Sequence, residues 1–415
     1  MQEESIPFDE TLKNGRRIYS FAALNIKCGE PTKTSLKTKF LLLINYLWLD
    51  TDLFGGIFWF IDGVIKGKNF IDLTYIAPCI FLTTLGNLKG ACFYSNEKNS
   101  HKLITKIRWL EEIERKRPRT VEKDEIIKKE IDFLDRVTKV LSILYIACIL
   151  MFAISPMVII LLKYYETNEV ELLLPFLILY PFDPFNLKVY PFVYLHQFWS
   201  ECIVCSFIFG PDLFFFSCCT HLRIQFKLLQ HALENLINES KEPKGFVLED
   251  REFRNKFKSL VIWHQELIDS ASLLEKIVST SNLLNILSSS AMICLTGFNV
   301  TEVKDKALVV TFSIFFSLSL AQVFWICFFA DLLTSSREIS DSVYISKWYS
   351  AESKIGRSLL VIQTRSQEPC KLTAAGFADV NLNSFMKVRF IRYLAPITQA
   401  LSCLAWGWMA MCNMS

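Results

Sequence analysis

Seven long apolar runs constrain this chain more than anything else in it. They begin near Phe40, Phe70, Val137, Tyr190, Asn282, Ala307 and Phe390, with strongly charged stretches between them. Each run reaches the roughly 20 residues that a helix needs to cross the hydrocarbon core of a bilayer. One such run could be the core helix of a soluble domain. Seven of them in 415 residues, at 52% hydrophobic content, point to a membrane protein. A chain in lipid must satisfy its backbone groups internally, so the runs predict helices. The fold class is all-α, with seven transmembrane helices.

Basic residues orient the bundle. Lys and Arg concentrate on the cytoplasmic side of membrane proteins. Six precede Thr38, twelve lie in 95–136, eight in 221–271 and six in 333–372. The alternate loops hold only Lys66, Lys68, Lys163, Lys188, Lys304 and Lys306. The split of 32 against 6 predicts a cytoplasmic N-terminus. With seven spans, the C-terminus is then extracellular. The N-terminal MQEESIPFDETLKNGRR is polar and mixed in charge, so no cleavable signal peptide is expected and the first span acts as its own signal. The 13 cysteines fall within spans, at their edges or on the cytoplasmic side, which predicts no external disulfide framework.

Two cytoplasmic stretches read as helices rather than connectors. Glu249–Leu284 contains no Pro or Gly and repeats its apolar residues at helical spacing, so the fifth span continues into the cytoplasm as one long helix. The stretch 336–363 places Ile339, Val343, Tyr344, Trp348 and Leu359 on roughly one face. Such stripes need a partner, either each other or other subunits around an axis.

The chemistry of enzymes is not visible. No G-x-S-x-G, P-loop or H-E-x-x-H appears, and His101, His196, His221, His231 and His264 are dispersed. The chain is read as no enzyme, with no cofactor and no metal. A seven-helix metabotropic receptor coupled to G proteins would need an external N-terminus. A secondary transporter should show inverted repeats or buried carboxylates near the midplane, and Asp331 lies too shallow for that. Both remain as alternatives.

The C-terminal third carries a more specific text: CFFADLLTSSREISDSVYISKWY, then LLVIQTRSQEPCKLTAAGFADVNLNSFMKVRFIRY. Its Tyr344, Trp348–Tyr349, Ser366–Gln367–Pro369, Leu372–Thr373–Ala374 and Phe385 resemble the insect odorant receptors, as does HQELIDSASLLEKIVS from His264. The resemblance implies an odorant-tuning subunit of a ligand-gated, non-selective cation channel, built as a heterotetramer with a shared co-receptor. It implies residence in the cell membrane of olfactory sensory neuron dendrites, contact with membrane lipid, and no nucleic-acid partner. The chain then divides into a cytoplasmic segment 1–38 and spans one to six with their cytoplasmic helical loops over 39–334. A cytoplasmic anchor helix and turn follow over 335–385, with Tyr344, Trp348 and Phe385 at the subunit interface near a tetramer axis. A pore-lining seventh span covers 386–412.

In that last span Thr398 and Gln399 are candidates for the water-filled path, and Leu394, Ile397 and Leu401 for a hydrophobic gate. Lys387, Arg389 and Arg392 stand at its cytoplasmic entrance, a placement that favours few copies of this chain per channel. The resemblance also puts a small volatile odorant in the outer half of the bundle, between spans two, three, four and six. The candidates there are Tyr75 and Phe81, Phe152 and Met157, His196, Trp199 and Cys202, and Phe312, Phe315 and Phe316. They are aromatic with a few polar tips, as an apolar ligand held by one or two hydrogen bonds requires.

Overall fold

The structure is a computed structural model, and it describes residues 7–21, 36–68, 73–236, 251–303, 306–346, 348–350 and 353–386. The pore candidates Leu394, Ile397, Thr398, Gln399 and Leu401, and the trio Lys387, Arg389 and Arg392, lie outside the described residues. Those described are helical apart from turns, linkers and one isolated antiparallel bridge, Thr373 to Asp379.

Two short helices, α1 (Pro7–Asn14) and α2 (Arg16–Phe21), precede α3 (Leu36–Ile65), α4 (Ala77–Ser95) and α5 (Glu97–Arg115). Then come α6 (Val121–Thr167), α7 (Tyr190–Glu234), α8 (Arg251–Glu302) and α9 (Lys306–Asp331). A 3₁₀ turn (Leu332–Arg337) leads into α10 (Glu338–Ile345), α11 (Ser353–Ser366) and α12 (Leu382–Met386).

Among the described residues five helices are long and apolar enough to cross a membrane: α3, α6, α7, α8 and the continuous run from α9 into α10. α4 is not one of the five. It is 19 residues long, about 28 Å at 1.5 Å per residue, and carries Asn87 and Lys89. Helices α6, α7 and α8 have 47, 45 and 52 residues. Each is about twice the length that a 30 Å hydrocarbon layer takes up, so each projects far beyond it. α8 runs unbroken over Arg251–Glu302, as the missing helix breakers up to Leu284 require.

α7 is the central post. Of its most apolar 18 residues 83% are buried, against 17% in α6 and 28% in α3, which turn broad apolar faces outward. A helix that is apolar all round belongs at the centre of a bundle. α4 packs closely on α7 because two glycines one turn apart face it. A Cβ at Gly86 would meet Val204 Cγ2 at 2.7 Å, and one at Gly90 would meet the Phe207 ring at 3.1 Å. Small residues at such spacing let membrane helices approach backbone to backbone.

At the end of the bundle where the long helices project, polar ties replace lipid contact. Arg108 bonds Asp9, Lys106 bonds Glu266 and Lys227 bonds Glu130, each at 2.7 Å. Arg117 lies over the Trp263 ring at 4.1 Å, and the Trp263 indole donates to Gln225 at 3.1 Å. The segment LTAAGFADV folds as a tight hairpin, with Val380 N donating to Leu372 O at 2.8 Å. Its turn puts Ala375 and Gly376 at φ 50° and 77°. Glu275 and Ser279 of α8 hold it, through Thr373 N at 2.8 Å and Ala375 N at 3.0 Å.

Candidate functional site

A cavity of about 140 Å³ lies inside the bundle, walled by α3, α4, α6, α7 and α9, with Met292 of α8. Its sides are apolar: Leu49, Ile80, Cys148, Val204, Ile208 and Leu318 are typical. Phe152 of α6 and Phe315 of α9 meet in its wall, their rings tilted at 37° with centroids 4.9 Å apart. The linker between α6 and α7 borders the cavity and supplies Phe176 and Ile178 to the lining.

That linker is held by α7. The side chain of Gln197, fully buried, accepts from Phe176 N at 2.9 Å and donates to Phe176 O at 3.1 Å. One amide thus satisfies both backbone groups of a non-helical residue at the bundle's end. Gln197 also donates to the Tyr180 hydroxyl at 3.3 Å. Burial pushes the Tyr180 phenol up to about 12, opposed by the Gln197 hydrogen bond and assisted by the charge of Asp52. Leu179 N donates to Gly55 O at 3.1 Å, and Gly55 leaves the room that Ile178 fills.

Three carboxylates enter the wall: Asp52, Glu201 and Asp212. Asp52 faces His196 Nδ1 at 3.3 Å. Asp212, at the far end, receives Lys89 Nζ at 2.5 Å and Gln322 Nε2 at 3.3 Å, with Lys89 1% exposed. Glu201, midway, is 6% exposed and its Oε2 has no hydrogen-bond partner.

Of the ten residues proposed from sequence, the cavity is lined by Phe152 and Phe315. The other eight lie elsewhere. Phe81, Met157 and Trp199 are exposed on the outside of the bundle. Tyr75 packs edge-on against buried Phe312, and Phe316 covers Gly297 of α8. Cys202 is half-buried and lies off the lining. His196 stacks on Trp48, centroids 5.0 Å apart, and bonds Thr51 at 3.0 Å. The reason is register. On α7 the cavity takes Ser200, Glu201, Val204, Cys205, Ile208 and Asp212, a stripe at helical spacing, while Trp199 and Cys202 fall on other faces. The carboxylates and Lys89 were missed, although charge inside an apolar span is itself a signal of function. Of the interface candidates, Tyr344 is exposed, whereas Trp348 and Phe385 pack on the chain's own core, Phe385 against Phe324. Among the described residues no cluster of His, Cys, Asp or Glu is placed to hold a metal.

A profile of the 7tm odorant receptor family matches residues 71–391. The chain belongs to the insect odorant receptor family. It is similar to putative odorant receptor 92a of Drosophila melanogaster, 27% identical over 94% of each chain, and to odorant receptor 67c of the same fly, 25% identical over 91% of this chain and 90% of that one. Its fold is similar to the insect olfactory receptor OR5 from Machilis hrabei in complex with eugenol. The TM-score there is 0.75 at 14% identity, over 96% of this chain and 99% of that one. This odorant receptor is thus a multi-pass membrane receptor and not an enzyme.

Proposed function

We propose that this chain is the odorant-tuning subunit of a ligand-gated, non-selective cation channel, and that its ligand is a small volatile held in the cavity between α3, α4, α6, α7 and α9. The observation that carries the reading is the cavity itself: a mostly apolar chamber within the bundle, with a few polar and charged side chains in its wall and the linker along its edge. Such chambers suit small ligands oriented by one or two hydrogen bonds. Phe152 and Phe315 are its aromatic anchors. Tyr75, Phe81, Met157, His196, Trp199, Cys202, Phe312 and Phe316 act, on this reading, through packing around the chamber or at its approaches.

The rest of the proposal follows the charge distribution and the family. The N-terminus is cytoplasmic, seven helices span the membrane, and the seventh lines a pore shared with co-receptor subunits in a heterotetramer. There Leu394, Ile397 and Leu401 form the gate, and Thr398 and Gln399 face the water path. Tyr344, Trp348 and Phe385 lie toward the subunit interface. Exposed Tyr344, Ile345, Tyr349, Val361 and Phe377 support assembly through the projecting end, since they leave apolar surface where no lipid would cover it.

The test is whole-cell current in cells expressing this chain with and without an insect odorant co-receptor, under a panel of volatiles, with G-protein signalling blocked. A ligand-evoked cation current that survives the block and needs both chains is expected. A response abolished by the block would replace the channel with a metabotropic receptor.

A further inference from the structure

Among the described residues, Glu201 is one of the buried polar side chains that the fold leaves with an unpartnered atom. It stands about three turns into α7 and lines the cavity. Its side chain is buried, and its Oε2 meets no donor. Of the other two carboxylates of the wall, Asp212 is engaged by Lys89 and Gln322, while Asp52 has the His196 ring 3.3 Å away from an Oδ1 that makes no hydrogen bond. A buried oxygen without a partner costs the fold the full desolvation of that group. A leucine there would stabilise the empty bundle better.

We infer that Glu201 receives the head group of the ligand, and that this head donates a hydrogen bond: a hydroxyl or amino group on a small apolar body. The inference rests on the cavity being the odorant site. The chemistry selects donors because a carboxyl group always keeps an accepting oxygen. Ionised, it offers two; protonated, it still offers one. A hydroxyl or amine pairs with either form, whereas an ether or ester pairs with the protonated form alone. Most of the wall favours an apolar body, since residues such as Val204, Ile208, Phe152 and Phe315 carry no hydrogen-bonding side chain. The volume limits its size. Cavities of about 150 Å³ take up one benzene, so about 140 Å³ suits a single ring with a short substituent.

Benzyl alcohol and anisole are isomers that differ in hydrogen-bond donation, which makes them the decisive pair; benzylamine and toluene complete the set. Dose–response currents are recorded for wild type, E201Q and E201L with the co-receptor, alongside the volatile panel and surface labelling of each variant. One hydrogen bond of this kind corresponds to roughly tenfold in affinity. Wild type should therefore respond to benzyl alcohol or benzylamine at about tenfold lower concentration than to anisole or toluene. The comparison of benzyl alcohol with benzylamine shows which head is favoured. E201Q, which keeps an accepting oxygen, should retain most of the preference. E201L should bring the ratio to about one while still opening to anisole or toluene.

Equal potency of the isomers in wild type overturns the inference, as does a preference that persists in E201L. So does silence to all four probes in a receptor that opens to other volatiles. If no volatile opens it, the odorant reading itself fails, and the role of Glu201 falls with it. If E201L fails to reach the surface, the wild-type isomer comparison and E201Q decide alone.

Discussion

Lys89 and Asp212 are both nearly inaccessible and 2.5 Å apart, with Gln322 as the third member. A buried pair contributes little net stability, because desolvation offsets attraction, but removing one partner strands the other charge at a cost of about 3–5 kcal/mol. K89M should therefore lower the unfolding temperature of the detergent-solubilised receptor and its surface level sharply. The double variant K89M/D212L should recover most of both. A double variant as damaged as K89M would show that the two charges are not one unit. The hairpin offers a gentler case. Ala375 sits at φ 50°, where a Cβ costs roughly 1 kcal/mol, and Gly376 at φ 77° bears no such cost. A375G should raise the unfolding temperature slightly and G376A should lower it; the same sign for both would mean that the turn relaxes.

At the scale of elements, the contact of α4 with α7 is set by absence of side chain. Leucine at Gly90 must displace the Phe207 ring or the Tyr46 hydroxyl, which lie 3.1 and 2.6 Å from where its Cβ would stand. Overpacking of this kind costs typically about 1–3 kcal/mol. Because Lys89 reaches α7 from the same turn, G90L should also loosen the ion pair. The expected result is lower thermal stability for G90L than for G90A, in which only one methyl must be fitted; equal stability would mean that the helices are free to separate. Long helices were legible in the sequence because length and charge-free runs identify them whatever they pack against. The unbroken α8 was legible from the lack of Pro and Gly through 249–284. The faces of α7 were not legible. A central helix is apolar on every side, so hydropathy carries no phase, and Trp199 and Cys202 looked as suitable as Val204 and Cys205. The phase was written in the charged residues instead: Glu201 and Asp212 are eleven positions apart, about three turns, and both meet the cavity. The linker beside the cavity was illegible for another reason. Its position depends on Gln197 bonding a backbone twenty-one residues away, which no local pattern encodes.

For the whole molecule, the two ends of the bundle differ in what they leave uncovered. Near the linker, exposed apolar residues such as Leu187 and Phe192 adjoin the span ends. At the other end, Tyr344, Tyr349 and Phe377 are 69%, 71% and 81% exposed on α10, the turn after it and the hairpin. This chain's own core does not cover them, and they sit beside the charged ties of the bundle's projecting end. Large exposed apolar side chains in such a place mark a protein interface, and aromatic residues commonly dominate the energy of one. Replacing Tyr344 and Tyr349 together by serine should leave the cavity and the monomer's core untouched, since neither side chain supports them. The variant should fold, with an unfolding temperature within a degree or two of wild type, and yet co-purify with the co-receptor several-fold less well and carry proportionately less current. The pairing of these two readouts matters. Loss of stability together with assembly would mean that the tyrosines support the fold, whereas normal assembly would move the interface away from this end and leave the exposed face to another partner.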